Sequence, residues 1–581
     1  MFATPDIERA DRPDGSMVLR SREPIAPYPR SVAAMLRTWA RQDPDHPLIA
    51  QRDADDGWRT LTYGEVRARA DAIGQALLDR GLGPDRPLMV LSGNSTAHFL
   101  LTMGALTAGV PIAPVSAAYS VMTSDHARIR AIADLLRPGM VFAEDGTAFG
   151  DAIAAVRAPG RLLAVATNAV PGAETLADLT STSPTSALET AFDSLTADTL
   201  AKILFTSGST GTPKGVLNTH RMLCSNQQAM RQVWPFLMEE RPVLVDWLPW
   251  SHTFGGNHNM NMVLHNGGTL YLDDGKPAPH LFARTLKNLR DVRPTIAFNV
   301  PAGYAQLVPA LEADREFAQA FFSRLRLVFN AAAALPSTLR ERLSSIAREV
   351  TGREVPVTGS WGATETAPAV TSAHYPYADA RCIGVPLPGL EVKLVPVDDA
   401  YEIRVRGDAV TPGYLRRPDL TAEAFDDEGF YRTGDAVELA ADQGLLFKGR
   451  TAEDFKLDTG TFVRVGAVRT ALLSAVPLLS DAVICGENRS YVSALAWLNP
   501  AEPPRPELAG HIAKLLADLN GTAGSAGRVE RLLLLTEPPS LDAGEITDKG
   551  YVNQRRVLER RQSHLDRLYA TDPDGTVILA G

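Results

Sequence analysis

The sequence predicts an α/β fold, with a large layered domain first and a smaller α+β domain after it. Three observations carry this. Short apolar runs that read as buried strands alternate with helix-period segments along most of the chain. The 581 residues exceed what one compact core takes, so the chain divides into at least two domains. From about residue 390 the texture changes to short alternating strands, Glu391–Pro396, Glu402–Arg406 and Gly444–Lys448, which predict a small β-rich subdomain. Beyond that stretch, about 130 residues at the C-terminal end read as one compact α+β unit.

Taken in order, residues 1–28 are polar and rich in proline and arginine, which predicts an irregular arm. Ser31 to Gln42 reads as a helix, with Val32, Met35, Leu36 and Trp39 at helical spacing. Tyr63 to Gly81 is a second helix, carrying Val66, Ala70, Ile73, Ala76 and Leu77 on one side and stopped by Gly81-Leu-Gly-Pro84. A strand at Pro87–Leu91, a helix at His98–Ala108 and a strand at Val110–Val115 follow. Residues 157–196, rich in Ala, Thr, Ser and Pro, read as the loosest part. Leu200 to Phe205 is a buried strand, and the same rhythm recurs at Val243–Leu248, Thr269–Leu272, Thr295–Asn299, Leu325–Phe329 and Val355–Thr358.

Composition narrows the function classes. Hydrophobic content of 45% and charged content of 22% describe an ordinary globular protein. A net charge of −10 argues against a nucleic-acid partner, which needs a clustered basic surface. Cys224, Cys382 and Cys485 lie far apart with no metal or redox spacing, as reduced thiols of a cytoplasmic protein do. No apolar run approaches the roughly 18 residues of a membrane helix, so no membrane association is expected. The N-terminus shows no charged-then-apolar leader.

The chemistry starts after the strand Leu200–Phe205. There the chain breaks into Thr206, Ser207, Gly208, Ser209, Thr210, Gly211 and Thr212, with Lys214 close behind. Backbone N–H groups and hydroxyls of such a loop can surround a phosphate, because glycine removes the Cβ that would hold the anion away. The common mononucleotide loop is excluded: it needs Gly before the lysine and Ser/Thr after it, and Pro213 and Gly215 stand there. A plain Gly/Ser surface turn is the bland alternative.

Thr206 to Gly215 resembles the phosphate loop of the adenylate-forming superfamily: acyl-CoA synthetases, luciferases and peptide-synthetase adenylation domains. Further segments match in the superfamily's order, over roughly residues 26 to 560. The resemblance implies two α/β subdomains and the small β-rich one within 1–449, and a mobile C-terminal domain over 450–581. Trp247-Leu-Pro-Trp-Ser-His-Thr-Phe-Gly-Gly256 resembles the aromatic/histidine segment. It implies that His252 lines the acyl-carboxylate entrance with Phe254 beside the acyl group; alone, His252 reads as a structural histidine. Phe329-Asn-Ala-Ala-Ala-Ala-Leu-Pro336 resembles the segment beside adenine and the acyl pocket, where Ala332 and Ala333 admit a flat ring; it also reads as a helix start. Tyr304 falls among the segments that line the acyl pocket in relatives.

Gly359-Ser-Trp-Gly-Ala-Thr-Glu-Thr-Ala-Pro368 resembles the nucleotide and metal segment. By that resemblance Trp361 packs near adenine, Thr364 touches the α-phosphate and Glu365 ligates Mg²⁺, a cation suited to one or two carboxylates plus phosphate oxygens. In Tyr431-Arg-Thr-Gly-Asp435, Asp435 is the candidate ribose clamp, since a charged acceptor bonds vicinal hydroxyls strongly; a turn-forming Thr-Gly-Asp is the alternative. Lys448-Gly-Arg-Thr-Ala-Glu-Asp-Phe-Lys456 resembles the inter-domain hinge, with Arg450 on ribose or phosphate and Gly460 near the pantetheine path. The superfamily's usual Asp or Lys hinge residue is Ala452 here. Gly544-Glu-Ile-Thr-Asp-Lys-Gly-Tyr551 holds the position of the catalytic lysine, Lys549, although the usual Thr-Gly-Lys is Thr-Asp-Lys.

The resemblance implies ATP, Mg²⁺ and coenzyme A, with a small-molecule carboxylic acid activated as acyl-AMP and passed to the thiol. Ala26-Pro-Tyr-Pro-Arg30, Leu91-Ser-Gly-Asn94, Ala113-Pro-Val-Ser-Ala-Ala-Tyr119, Asp454-Phe-Lys-Leu457 and Asp542 to Tyr551 are similar to bacterial feruloyl-CoA synthetases, which implies ferulate or a related hydroxycinnamate. A ligase for another aryl or medium-chain acid, an adenylation enzyme loading a carrier protein, and a nucleotide-binding protein without turnover are the alternatives. The sequence leaves monomer and homodimer both open.

Overall fold

The computed structural model describes residues 1–207, 213–278, 280–441, 444–451, 453–499, 507–547 and 552–580. The chain forms two compact units. One comprises Met1–Leu394, Arg404–Arg432 and Ala441–Leu445; the other comprises Val395–Ile403, Thr433–Ala440 and Leu446–Gly581.

The first unit is layered α/β. Seven strands run in the order Pro213–Thr219, Leu200–Ser207, Ile112–Val115, Leu88–Leu91, Met140–Asp145, Leu162–Thr167 and Glu174–Thr175. All neighbours are parallel except the first pair, which is an antiparallel hairpin. Leu88–Leu91 and Ile112–Val115 are buried at every position, as strands covered on both faces must be. Parallel strands Ile296–Asn299, Leu327–Asn330 and Val357–Gly362 form a second group, continued antiparallel by Ala369–Ser372 and Cys382–Pro386.

The helices start where side chains can cap them. Ser31 accepts from Ala34 N–H at the head of Val32–Gln42. Thr62 and Glu65 close a capping box on Tyr63–Asp79, and Ser95 caps Thr96–Thr107. Two expectations are corrected. Residues 1–28 are not wholly irregular: Ile7–Asp11 and Met17–Ser21 form a hairpin that pairs through Arg20 to Met17 with Glu391 to Leu394. Residues 157–196 carry the strands Leu162–Thr167 and Glu174–Thr175 and the helices Leu176–Thr180 and Ser186–Ser194.

In the second unit, Leu479–Cys485, Val492–Leu498, Val529–Leu534 and Val577–Leu579 form one four-stranded sheet. Alternation splits its core in two. Ala482, Ile484, Ala494 and Ala496 pack with Leu472, Ile512 and Leu516 of the helices Val465–Ala475 and Leu508–Thr522. Val483, Cys485, Leu495 and Trp497 face the other way, onto Val557 and Leu568. Among the described residues no helix is long and apolar enough to cross a membrane.

Candidate active site

The described ends of the phosphate-loop segment pair across the hairpin, with Thr206 opposite Lys214 and Ser207 opposite Pro213. Gly208, Ser209, Thr210, Gly211 and Thr212 lie outside the described residues. The emerging strand is fastened to residues 411–415: Leu415 N–H donates to Gly215 O at 2.8 Å and Thr411 Oγ1 donates to Leu217 O at 2.7 Å. That fastening delivers Tyr414, a residue sequence reasoning missed. The Lys214 ammonium lies 5.3 Å from the centre of its ring, and its hydroxyl donates to Glu365 Oε1 at 3.0 Å. A phosphate-loop cation and the candidate metal carboxylate thus meet on one phenol. Burial, then the Glu365 charge, pushes the Tyr414 phenol well above its ordinary range, so it stays a donor.

Glu365 is presented by a tight turn. The strand Val357–Gly362 ends at Gly362, where a Cβ would collide with the Pro368 carbonyl. A single 3₁₀ turn, Thr364–Thr366, follows, and Thr366 Oγ1 accepts from Ala363 N–H at 2.8 Å. Thr364 is buried, Trp361 is buried in the strand opposite Thr371, and Glu365 is half-buried.

The aromatic/histidine segment folds back on itself. Phe254–Asn259 is a π-helical turn, a widened form that recurs at functional sites. A Cβ at Gly255 would collide with the Leu248 carbonyl and one at Gly256 with the Trp250 carbonyl, so both glycines are sterically required. Phe254 N–H donates to His252 Nδ1 at 3.2 Å, and Gly256 N–H to His252 O at 2.8 Å. The buried Asp246 carboxyl holds the turn by accepting from Asn259 Nδ2 at 2.9 Å; burial pushes it up to about 7.

Behind Phe254 lies an aromatic cluster of Trp234, His258, Phe298 and Phe329. His258 stacks on Phe329 with centroids 5.3 Å apart, and lies edge-on to Phe298 at 5.3 Å and to Phe254 at 5.8 Å. Burial pushes its imidazole down to about 4, so it is neutral, and its Nε2 is buried without a hydrogen-bond partner. Sequence reasoning missed His258, whose neighbours come from three distant segments. Tyr304 is fully buried, its hydroxyl donating to Phe329 O at 2.7 Å and Ala297 O at 3.0 Å. Ala332 has φ 78°, a conformation a non-glycine residue rarely adopts, and Ala332 and Ala333 are exposed in the loop before the helix Ser337–Thr351.

In the second unit, Arg450 Nε lies 3.6 Å from Asp435 Oδ1, which brings two predicted nucleotide contacts together. Gly460 takes φ 79° at the turn between Phe455–Lys456 and Phe462–Val463, with open space at its Cβ position. Ala452 and Lys549 lie outside the described residues. The chain on either side of Lys549 is anchored. Ile546 bridges Val552, Asn553 N–H donates to Glu545 O at 2.8 Å, and Glu545 receives two hydrogen bonds from Arg561 at 2.8 and 2.9 Å.

Residues 36–415 match the AMP-binding enzyme family, and residues 457–573 match the AMP-binding enzyme C-terminal domain. The chain is 24% identical to a long-chain-fatty-acid–CoA ligase of Mycobacterium bovis, over 93% of this chain and 97% of that one. It is 28% identical to novobiocin biosynthesis protein H of Streptomyces niveus, over 86% of this chain and 77% of that one. Among solved structures it superposes on ATP-bound MatB from Rhodopseudomonas palustris with a TM-score of 0.71, at 24% identity, covering 92% of this chain and 99% of that one. The anthranilate CoA ligase AuaEII, in complex with anthranoyl-AMP, gives 0.73 at 19% identity, covering 93% and 98%. The chain belongs to the AMP-binding enzyme family.

Proposed function

We propose, with membership of the AMP-binding enzymes as the premise, that this acid–CoA ligase activates ferulate or a related hydroxycinnamate. The adenylating ligase chemistry rests on the family, and with it the use of ATP, Mg²⁺ and coenzyme A. The acid is the further step, and the aromatic cluster around His258 is the observation that carries it. Phe254, Phe298 and Phe329 offer flat apolar walls, and His258 Nε2 is a buried neutral acceptor suited to a phenolic hydroxyl. The phrases shared with feruloyl-CoA synthetases point to the same acid.

A carboxylate is a poor acyl donor because its leaving group is oxide. Its attack on the α-phosphate of ATP forms acyl-AMP and expels pyrophosphate; the coenzyme A thiol then displaces AMP. Both partners of the first step are anions, so the site must supply positive charge in the transition state. Lys214, the hydroxyls and N–H groups of Thr206 to Thr212, and Lys549 are the groups we assign to this role. Thr364 contacts the α-phosphate, and Asp435 with Arg450 holds the ribose. Among the described residues no three His, Cys, Asp or Glu side chains gather into a metal cluster. Glu365, half-buried and hydrogen-bonded by Tyr414, would give a bound Mg²⁺ one protein carboxylate beside phosphate oxygens and water, and the cation would supply charge neutralisation. We place the domain division at residues 449/450, with Ala452 as the pivot that changes which face the small domain presents between the half-reactions.

Similarity to a long-chain-fatty-acid–CoA ligase over 93% of the chain favours an aliphatic acid as the second reading. Comparing kcat/KM for ferulate, coumarate, cinnamate, benzoate and octanoate separates the two. Ferulate and coumarate should lead, and His258→Leu should erase the preference for coumarate over cinnamate. A preference for octanoate overturns the hydroxycinnamate and leaves the adenylation chemistry standing.

A further inference from the structure

The strand that enters the phosphate-loop hairpin carries a lysine in its buried stretch. Lys202 lies in Leu200–Ser207 between buried Ala201 and Ile203, is 2% exposed, and sits opposite Ile112 on one side and Asn218 on the other. Its Nζ donates to Gly256 O at 2.6 Å. No carboxylate among the described residues offsets its charge, and burial alone acts on it. An ammonium buried without a counter-ion is costly, and such groups cluster where they serve a site.

The acceptor is what gives the contact meaning. Gly256 belongs to the π-helical turn, donates its own N–H to His252 O at 2.8 Å, and is wedged where a Cβ would strike Trp250 O. One residue, Gly256, therefore links the strand of the phosphate loop to the backbone of His252, its C=O accepting from Lys202 and its N–H donating to His252 O. We propose that Lys202 is a positioning residue for the acid substrate: its ammonium holds the Gly256 peptide, and through it His252 and Phe254, in register with the phosphate-loop strand. This rests on the reading of His252 and Phe254 as the acid entrance.

The groups facing Lys202 are His98 at the start of Thr96–Thr107 and His220 at the start of His220–Val233. Burial pushes them down to about 4 and about 3, so both are neutral near pH 7. Lys202 itself is pushed down by burial to about 7 and is the group among these three that titrates in the working range. Asp246, which accepts from Asn259 of the same turn, is pushed up by burial to about 7. As pH rises through neutrality Lys202 loses its proton and with it the charge-assisted bond to Gly256, so the acid KM should rise while the ATP KM holds.

The test measures both KM values from about pH 6 to about pH 9 for the wild type, Lys202→Met, Lys202→Gln and His252→Ala. Lys202→Met should raise the acid KM about tenfold, the scale of one hydrogen bond to a charged group, leave the ATP KM within about twofold, and flatten the pH dependence of the acid KM. Lys202→Gln, which keeps a donor, should recover part of the loss. Equal rises in both KM values, no change in either, or failure of both variants to fold would reduce Lys202 to a structural role and overturn the proposal. An unchanged acid KM in His252→Ala would instead overturn the entrance assignment, so the two failures are told apart.

Discussion

Glu365 is steered by a single phenol. Tyr414 donates to its carboxylate at 3.0 Å while the same ring faces the Lys214 ammonium, so one side chain touches both charges proposed for the nucleotide. Tyr414→Phe keeps the ring and its packing and deletes the donor. The loss of one hydrogen bond to a charged acceptor, about 1.5–3 kcal/mol, should lower kcat/KM for Mg²⁺-ATP by roughly tenfold to a hundredfold, with a shift of Tm of no more than about 2 °C. Titrating activity against Mg²⁺ checks it: the Phe variant should need more cation, and an unchanged Mg²⁺ curve would remove Tyr414 from the site. Glu365 was legible because it sits in a ten-residue motif. Tyr414 was not, because it lies 49 residues away and is delivered by a backbone bridge to Val216 that no local pattern announces. Lys202, a polar residue in an apolar run, and His258, one polar residue among the asparagines of its segment, escaped for a related reason: each acquires meaning only when the fold shows what it faces.

Elements with their own start signals were readable to within a few residues. Ser31, Thr62 with Glu65, and Ser95 supply caps, and the helices begin immediately after them. The hairpin of Ile7–Asp11 and Met17–Ser21 was not readable, because its strands are short, partly polar, and completed by pairing with Glu391 to Leu394. The π-helical turn is likewise invisible in sequence: the two glycines are plain, but the carbonyls they must avoid are a tertiary fact. One element-scale prediction concerns the anchor beside Lys549. The side chains of Glu545 and Arg561 are 3% and 5% exposed and doubly hydrogen-bonded. Glu545→Gln strands the buried guanidinium and should cost about 3–5 kcal/mol, read as an earlier midpoint in urea denaturation of the full chain. Burial pushes the Glu545 carboxyl up, but the Arg561 hydrogen bond and charge outweigh this and hold it below its ordinary value. Its stabilising share is therefore complete above the unfolded value near 4.3 and is lost as pH falls through the folded one. The Gln variant should lose that part of the acid dependence; an unchanged midpoint would show that the anchor is dispensable.

At the scale of the whole molecule, length and the change of texture past residue 390 made the multi-domain α/β architecture legible, and motif order made the adenylating chemistry legible. The acid was harder to read. Its candidate walls come from Trp234, Phe254, Phe298 and Phe329, spread over four segments that only the fold assembles. The central claim is the first half-reaction: a carboxylic acid takes AMP from ATP before any thiol takes part. It is tested most directly by exchange of labelled pyrophosphate into ATP, with Mg²⁺ and ferulate present and coenzyme A withheld. Exchange should require the acid, and adding coenzyme A should give net release of AMP with thioester formation. Absence of exchange with ferulate and every other acid of a broad panel, or formation of ADP and phosphate instead, would contradict it.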